Sequence, residues 1–117
     1  MNIQKKWKHL TQRAMLDEIK EKSNHQPQVI FKHSTRCGIS AHAEDRLSND
    51  EGLEDIADCY YLDLLNYRSI SNDIAQIFEI GHQSPQIIVL YKQNVIYTSS
   101  HHAIESKKII AAIEKLG

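Results

Sequence analysis

The spacing of apolar side chains predicts short strands spread along the whole chain. Three runs rich in apolar and aromatic residues, at 28–32, 59–65 and 86–91, have the composition of buried strands. Residues 95–98 follow the third run after a turn that is short enough for a β-hairpin. Residues 7–10 alternate apolar and polar side chains, as a short edge strand does. The pattern therefore predicts four to five strands.

Two amphipathic helices are predicted between these strands. The first runs from an N-cap at Thr11 to about Lys22, because Ser, Thr, Asp and Asn are favoured at helix starts. The second begins at a cap provided by Ser69 or Ser71 and ends at Gly81. The apolar residues that recur on one face of each helix are Met15, Leu16 and Ile19 in the first and Ile70, Ile74, Ile77 and Phe78 in the second.

Three further helical segments complete the pattern. A helix is expected from about 38 to 49, with Gly52 in a left-handed conformation after its end. Leu53 and Ile56 indicate one more helical turn, and a final helix is expected over 102–116. Strands that alternate with helices, followed by a hairpin and a last helix, predict an α/β fold with a mixed central sheet of four to five strands, flanked by helices on both faces.

The composition is that of an ordinary globular protein and excludes several function classes. With 117 residues, 41% hydrophobic and 25% charged, the chain suits one domain over residues 1–117. The net charge of −1 and the scattered Lys and Arg residues give no basic surface, so neither nucleic acid nor a membrane is expected as a partner. The first residues lack the apolar core of an export signal, and two cysteines do not suggest a disulfide framework. The expected compartment is therefore a reducing cytoplasm.

Cys37 follows a predicted polar turn, Lys32 to Arg36, and lies at a strand-to-helix junction, a position that favours thiol chemistry. The amides at the start of a helix create a positive potential that favours a thiolate over a thiol, and Arg36 adds a full positive charge beside it. The alternative is an inert buried cysteine, since free Cys is among the most buried residue types. The polar residues around Cys37 favour the reactive interpretation. The sequence therefore predicts thiol–disulfide chemistry at this residue.

Two segments of the chain together resemble a known family. The segments Phe31–Ser40, with its Cys-Gly-Ile-Ser, and His82–Gln86, with its Ser-Pro, are similar to those of the monothiol bacilliredoxins, also called bacillithiol-system redox-active proteins. The resemblance covers almost the whole chain and implies a thioredoxin-like fold. In that superfamily the proline is cis and faces the reactive cysteine across a groove. The resemblance thus implies that Ser84 and Pro85 form the groove wall that aligns an incoming disulfide.

The resemblance also implies a monothiol reaction with Cys37 as the nucleophile. Ser40 stands where a dithiol protein has its second cysteine, and a hydroxyl group cannot resolve a mixed disulfide. Ser40 is either a helix-surface residue or a hydrogen-bond donor to the Cys37 thiolate. The implied partners are S-bacillithiolated proteins and a low-molecular-weight thiol, with bacillithiol as co-substrate and no tightly bound cofactor. Gly38 departs from the family, which has proline there, and glycine leaves the start of the helix looser.

Several polar residues near these segments are candidates for substrate contact. Lys32 at the strand end is expected to position an anionic substrate, and His82 lies near the Ser-Pro groove. His33 and Arg36 are expected to tune the thiolate or to bind a carboxylate of the small thiol, and a solvated turn is the alternative interpretation. Thr35 belongs to the same candidate group.

Two other features have structural interpretations. Cys59 is interpreted as a strand residue packed in the core rather than as a resolving thiol. His101 and His102 lack cysteine or carboxylate partners at ligand spacing, so an exposed helix start is favoured over a metal site.

Two rival functions remain open at this point. Residues 37–40 are close to the Cys-Gly-Phe-Ser of monothiol glutaredoxins, which bind an iron–sulfur cluster through the cysteine thiolate together with glutathione. Against this rival, Gln83-Ser84-Pro85 stands in place of their Thr-Val-Pro, and residues 98–101 stand in place of their paired glycines. The second rival is a sensor module whose Cys37 becomes capped under oxidative stress without turnover.

Overall fold

A five-stranded mixed sheet forms the centre of the structure, a computed structural model that describes residues 6–34, 43–44, 46–47 and 52–116. The strands are β1 (Lys8–His9), β2 (Gln28–His33), β3 (Asp58–Asp63), β4 (Gln86–Tyr91) and β5 (Asn94–Ser100). Their spatial order is β1-β3-β2-β4-β5. The central strand β2 is parallel to β3 on one side and antiparallel to β4 on the other.

Helices connect these strands on both faces of the sheet. The helices with described bounds are α1 (Ala14–Lys22), α2 (Leu53–Ile56), α3 (Arg68–Ile77) and α4 (Ser106–Glu114), with a 3-10 helix at His101–Ala103. Residues 43–44 and 46–47 are also helical, whereas most of the helix expected over 38–49 lies outside the described residues. No helix in the described ranges is long and apolar enough to cross a membrane.

The side chains of β2 alternate between two core layers. Val29 and Phe31 pack in a layer that includes Ala43 and apolar residues of α4. Ile30 packs in the opposite layer, with apolar residues of α1 and α3. All six residues of β2 are buried, as expected for a central strand that is covered on both faces. The predicted α/β fold, with a mixed sheet of four to five strands between helices, is confirmed.

The predicted hairpin between β4 and β5 is also confirmed. Lys92 and Gln93 have φ values of 54° and 65°, the left-handed values that a two-residue type I′ turn requires. Ser23 stabilises the turn, because its carbonyl accepts the Lys92 N–H at 2.7 Å and its hydroxyl accepts the Gln93 N–H at 3.0 Å. The turn therefore forms without the Asn-Gly or Asp-Gly pair that usually favours it.

The predicted starts of two helices are wrong by a few residues. Helix α1 begins after Arg13 rather than at Thr11, and no side chain caps it. Helix α3 begins after Tyr67, which places Ser69 and Ser71 inside the helix instead of at its cap. Both helices begin without a side-chain cap, so the packing of their apolar faces sets their position rather than the cap residue.

The predicted roles of two glycines are wrong as well. Gly52 has a φ of −90° and precedes α2, whose single predicted turn is confirmed. Helix α3 ends at Ile77, well before Gly81, and Glu79 has the left-handed φ of 53° after it. The left-handed conformation expected at Gly52 does not occur, and the left-handed residue after α3 is Glu79 rather than a glycine.

The last helix begins later than the sequence indicated. Residues 101–103 form the 3-10 helix, and His101 has a left-handed φ of 53°. Helix α4 then begins at Ser106 rather than at residue 102. The His101-His102 pair therefore lies in a short connecting turn, where His102 is exposed.

Candidate functional site

The predicted site residues divide into two groups. Those outside the described residues are Thr35, Arg36, Cys37, Gly38 and Ser40. Those that the structure describes are Lys32, His33, His82, Ser84 and Pro85. The roles predicted for the first group therefore stay predictions. The second group surrounds the carboxyl end of β2, from which the chain continues into residues 35–42.

Lys32 is a fully buried residue of β2 and not part of a polar turn. The strand continues to His33, so the turn predicted from residue 32 begins later. The side chain of Lys32 has no exposed surface, and its ammonium group donates to the Ser71 carbonyl at 3.2 Å. Burial lowers the pKa of Lys32 from 10.5 to about 8, because desolvation disfavours the charged form. The predicted contact of Lys32 with an anionic substrate stays a prediction.

His82 is exposed, but one of its ring nitrogens faces the buried lysine. Its Nδ1 lies 3.4 Å from the Lys32 Nζ and 3.5 Å from the Ser71 Oγ. The ammonium group can only donate, so Nδ1 accepts from Lys32 and the ring proton of neutral His82 is on Nε2. Burial and the positive charges of Lys32 and Arg68 lower the pKa of His82. The structure thus brings two of the predicted site residues, Lys32 and His82, into contact.

The Ser84–Pro85 peptide bond is cis and lies beside the end of β2. The side chain of Gln86 holds the segment before this bond, because its Oε1 accepts the Gln83 N–H at 3.3 Å and its Nε2 donates to the Gly81 carbonyl at 3.1 Å. Gln86 is also the antiparallel partner of Lys32 in the sheet. The strand partner of Lys32 is therefore the residue that directly follows the cis proline, Pro85.

His33 belongs to a buried polar pair on the other face of β2. Its Nε2 lies 3.0 Å from the Glu44 Oε2, and the two side chains are only 3% and 12% exposed. The rings of Phe31 and Tyr61 lie with their centroids 5.4 Å from that of His33. Burial lowers the pKa of His33, and the Asp63 carboxylate opposes this shift. The interpretation of His33 as part of a solvated turn is wrong, and its predicted influence on the thiolate stays a prediction.

Cys59 lies far from the carboxyl end of the central strand. It is the β3 partner of Val29, four residues before His33 in β2, which corresponds to about 13 Å along a strand. Its thiol is free and partly buried against the core. Burial and the negative charges of Glu54 and Asp58 raise the pKa of Cys59 well above its usual value. The interpretation of Cys59 as a packed strand residue is confirmed.

Three polar partners at this end of the sheet were not predicted. Ser71 occurs between Ile70 and Ile74 on the apolar face of α3, and Gln86 begins an apolar strand. A polar residue at a position where the periodicity predicts core signals a buried hydrogen-bond partner, and this signal was available for both residues. No comparable signal was available for Glu44, because its partner, His33, lies on a strand elsewhere in the chain.

Comparison with known proteins gives both the family and the fold. The family model described as Monothiol bacilliredoxin BrxC matches residues 8–109. A solved structure described as having a thioredoxin fold is 25% identical, has a TM-score of 0.80, and is matched over 94% of this chain and 96% of that chain.

Two thioredoxins share the fold at lower identity. Thioredoxin from Trypanosoma brucei brucei is 11% identical with a TM-score of 0.74, over 94% of this chain and 89% of that chain. Thioredoxin O2 from Arabidopsis thaliana in its oxidized state is 13% identical with a TM-score of 0.71, over 99% and 98% of the two chains. The family match encloses both segments on which the resemblance depends, Phe31–Ser40 and His82–Gln86. The chain has the thioredoxin fold and belongs to the monothiol bacilliredoxin family.

Proposed function

We propose that this chain is a monothiol thiol–disulfide oxidoreductase that removes bacillithiol from S-bacillithiolated proteins, with Cys37 as the nucleophile. The observation that carries the proposal is the family match over residues 8–109, which includes Cys37, Ser40 and the Ser84–Pro85 bond. The thioredoxin fold and the family support a redox function in general. Bacillithiol as the specific thiol follows from the family alone.

The reaction consists of two thiol–disulfide exchanges. In the first, the Cys37 thiolate attacks the bacillithiol sulfur of the mixed disulfide, and the client protein leaves as a thiolate that takes up a proton. In the second, the thiolate of another bacillithiol attacks the same sulfur, now bound to Cys37, and oxidised bacillithiol leaves. The client cysteine is reduced, two bacillithiol molecules end as one disulfide, and Cys37 returns to its thiolate form. No further reductant is consumed within the cycle.

The setting of the second cysteine supports this one-thiol route. The chain contains two cysteines, and Cys59 is paired with Val29 at the beginning of β2 rather than at its carboxyl end. The raised pKa of Cys59 keeps its thiol protonated, and a protonated thiol is a poor nucleophile. Ser40 has no sulfur with which to resolve a disulfide. Release of the adduct by an external thiol is therefore the favoured second step.

The charge at the carboxyl end of β2 also supports thiolate chemistry there. Lys32 carries a buried positive charge, and Arg68 contributes a second positive charge that acts on the same His82 ring. A positive potential favours thiolates over thiols, both for an attacking sulfur and for a leaving one.

Mass spectrometry of the chain after exposure to oxidised bacillithiol and oxidised glutathione in competition tests the proposal. We expect one bacillithiol adduct on the peptide that contains Cys37, and no adduct on that peptide in the Cys37→Ala variant. A preference for glutathione would contradict the assignment of the small thiol. A Cys37–Cys59 disulfide would contradict the monothiol route.

A turnover assay separates a catalyst from a sensor. With excess S-bacillithiolated client, bacillithiol and a reductase that recycles its disulfide, we expect each chain to release many client thiols. The Cys37→Ala variant is expected to release none. One release per chain would instead favour the sensor, because a sensor is modified once and does not cycle.

A further inference from the structure

A buried lysine with no acidic partner among the described residues lies at the carboxyl end of β2. The side chain of Lys32 is 0% exposed, and none of the ion pairs among the described residues involves it. A buried charge is costly unless it is paired or fully hydrogen-bonded, and a packed apolar residue is often more stable at such a position. In the part of the chain that the structure describes, the ammonium group contacts the Ser71 carbonyl and the His82 ring. Packing alone therefore does not explain why this position holds a lysine.

Lys32 and His82 form a pair that holds one positive charge in the neutral pH range. The His82 Nδ1 accepts from the ammonium group at 3.4 Å while the imidazole is neutral. A protonated His82 would direct a second N–H and a second positive charge at the ammonium group. The Ser71 hydroxyl lies 3.5 Å from the same Nδ1 and can donate to it while the imidazole is neutral. The charge is therefore carried by Lys32.

The described groups around Lys32 leave this charge uncompensated. From α3, Arg68 contributes another positive charge, which acts on His82 in the same direction as that of Lys32. The strand neighbours of Lys32 are Leu62 in β3 and Gln86 in β4, and both are uncharged. The carboxylates at this end of the sheet, those of Glu44 and Asp63, act on His33, whose side chain lies on the other face of β2. Among the described residues, the face that holds Lys32 thus presents positive charge next to the cis peptide bond.

We propose that Lys32 is a positioning residue for the exchange at Cys37. Its ammonium group links α3 and His82 to the central strand, next to the segment that leads into Pro85. Its buried charge stabilises thiolates formed at this end of the sheet. The inference deepens the proposed function and rests on it, because it assigns the charge to the same reaction.

The proposal leads to an unusual pH profile. The positive charge of Lys32 is present below pH 8 and is lost above it, because burial brings its pKa to about 8. A reaction that depends only on the fraction of thiolate accelerates with pH and then levels off. With Lys32 in the reaction, turnover is expected to decline from about pH 8 upward although the thiolate fraction is still high.

Two matched variants test the proposal by turnover. Lys32→Met keeps the length of the side chain and removes its charge, and Lys108→Met does the same on the surface, where the Lys108 side chain is 56% exposed. Lys32 and Cys37 are five residues apart in the chain, which limits the separation of their Cα atoms to about 18 Å. At that limit and at an effective dielectric constant near 20, removing one charge changes a thiolate pKa by roughly 0.7 unit, which slows the reaction at pH 7 roughly two- to fivefold. In Lys32→Met we expect this slower turnover at pH 7 and no decline of turnover above pH 8. In Lys108→Met we expect the turnover rate and the pH profile of the wild type. Equal profiles for wild type and Lys32→Met would overturn the proposal.

Two variants of His82 separate its hydrogen bond from its own titration. His82→Asn keeps an acceptor near the position of Nδ1 and is expected to keep the wild-type pH profile. His82→Phe removes the acceptor and is expected to reduce turnover. Loss of the decline above pH 8 in His82→Asn would assign that decline to His82 and would overturn the role of Lys32.

Two readouts test the role of Lys32 even if the wild-type chain does not act on bacillithiol clients. That outcome would refute the proposed function but not the inference about Lys32. The first is the rate at which iodoacetamide alkylates Cys37, which is expected to be roughly two- to fivefold lower at pH 7 in Lys32→Met. The second is the NMR titration of the His82 ring, whose pKa is expected to rise when the adjacent charge is removed. An unchanged alkylation rate or an unchanged His82 titration would overturn the inference about Lys32.

Discussion

Replacement of Lys32 by methionine is expected to change how the stability of the protein depends on pH. The folded protein lowers the pKa of Lys32 from 10.5 to about 8, whereas the unfolded chain keeps the usual value. Between these two pH values the unfolded state binds more protons than the folded state, so the free energy of unfolding rises with pH. The cost of the buried charge is thus fully present below pH 8 and is relieved as the pH approaches 10.5. The Lys32→Met variant has no such dependence.

The size of the effect follows from the shift of the pKa. A shift from 10.5 to about 8 corresponds to roughly 3 kcal/mol over the whole pH window. Between pH 7 and pH 9.5 the same two values give a rise of about 2 kcal/mol. At pH 7 the variant avoids nearly the whole cost of roughly 3 kcal/mol but loses the hydrogen bonds to Ser71 and His82, which contribute about 1 kcal/mol each. A net stabilisation of roughly 1 kcal/mol by Lys32→Met is therefore expected at pH 7.

Urea denaturation of the wild type and of Lys32→Met at pH 7 and pH 9.5 measures this effect. Cys59 and Tyr60 also titrate in the alkaline range, and burial raises the pKa of Tyr60 to about 12. Their contributions occur in both proteins and cancel when the two proteins are compared at each pH. The stability advantage of the variant is expected to fall by about 2 kcal/mol between pH 7 and pH 9.5. A difference that does not change with pH would refute the burial of a charged Lys32.

Three further predictions concern other parts of the structure. In the folded protein at pH 8, Cys59 is expected to resist iodoacetamide and to react fully in urea, and rapid labelling without urea would contradict its burial. Glu44→Ala is expected to lower the free energy of unfolding by about 1–3 kcal/mol, because the buried His33 Nε2 loses its partner, and a loss below about 0.5 kcal/mol would argue against the pair. Gln93→Gly is expected to stabilise the hairpin by about 0.5–1 kcal/mol, since Gln93 has a φ of 65°, whereas Asn94→Gly is expected to destabilise it. The opposite order in thermal melts would show that the turn is not strained.

Features that depend on neighbours in the sequence were predicted well. The apolar run of β4 and the short turn after it are local signals, and both the strand and the hairpin occur as expected. The cis bond at Ser84–Pro85 was expected from a short motif in the same way. Each of these predictions uses residues that are close together along the chain.

Features that depend on distant partners were not predicted. A lysine after an apolar run indicates a turn, yet Lys32 is buried because Ser71 and His82, 39 and 50 residues away in the chain, supply its hydrogen bonds. The start of α3 was misplaced for a related reason. Ser71 was expected at a helix cap, but the packing of the helix places it against the central strand. The polar environment of the site therefore required the three-dimensional structure.

The central claim is that one sulfur, that of Cys37, completes the cycle with an external thiol. Turnover of an S-bacillithiolated client by the Cys59→Ser variant, which contains Cys37 as its single cysteine, tests this claim most directly. We expect this variant to release client thiols at the wild-type rate in the presence of bacillithiol. Loss of turnover in folded Cys59→Ser protein, with the adduct on Cys37 no longer released, would show that Cys59 resolves the mixed disulfide and would contradict the monothiol account.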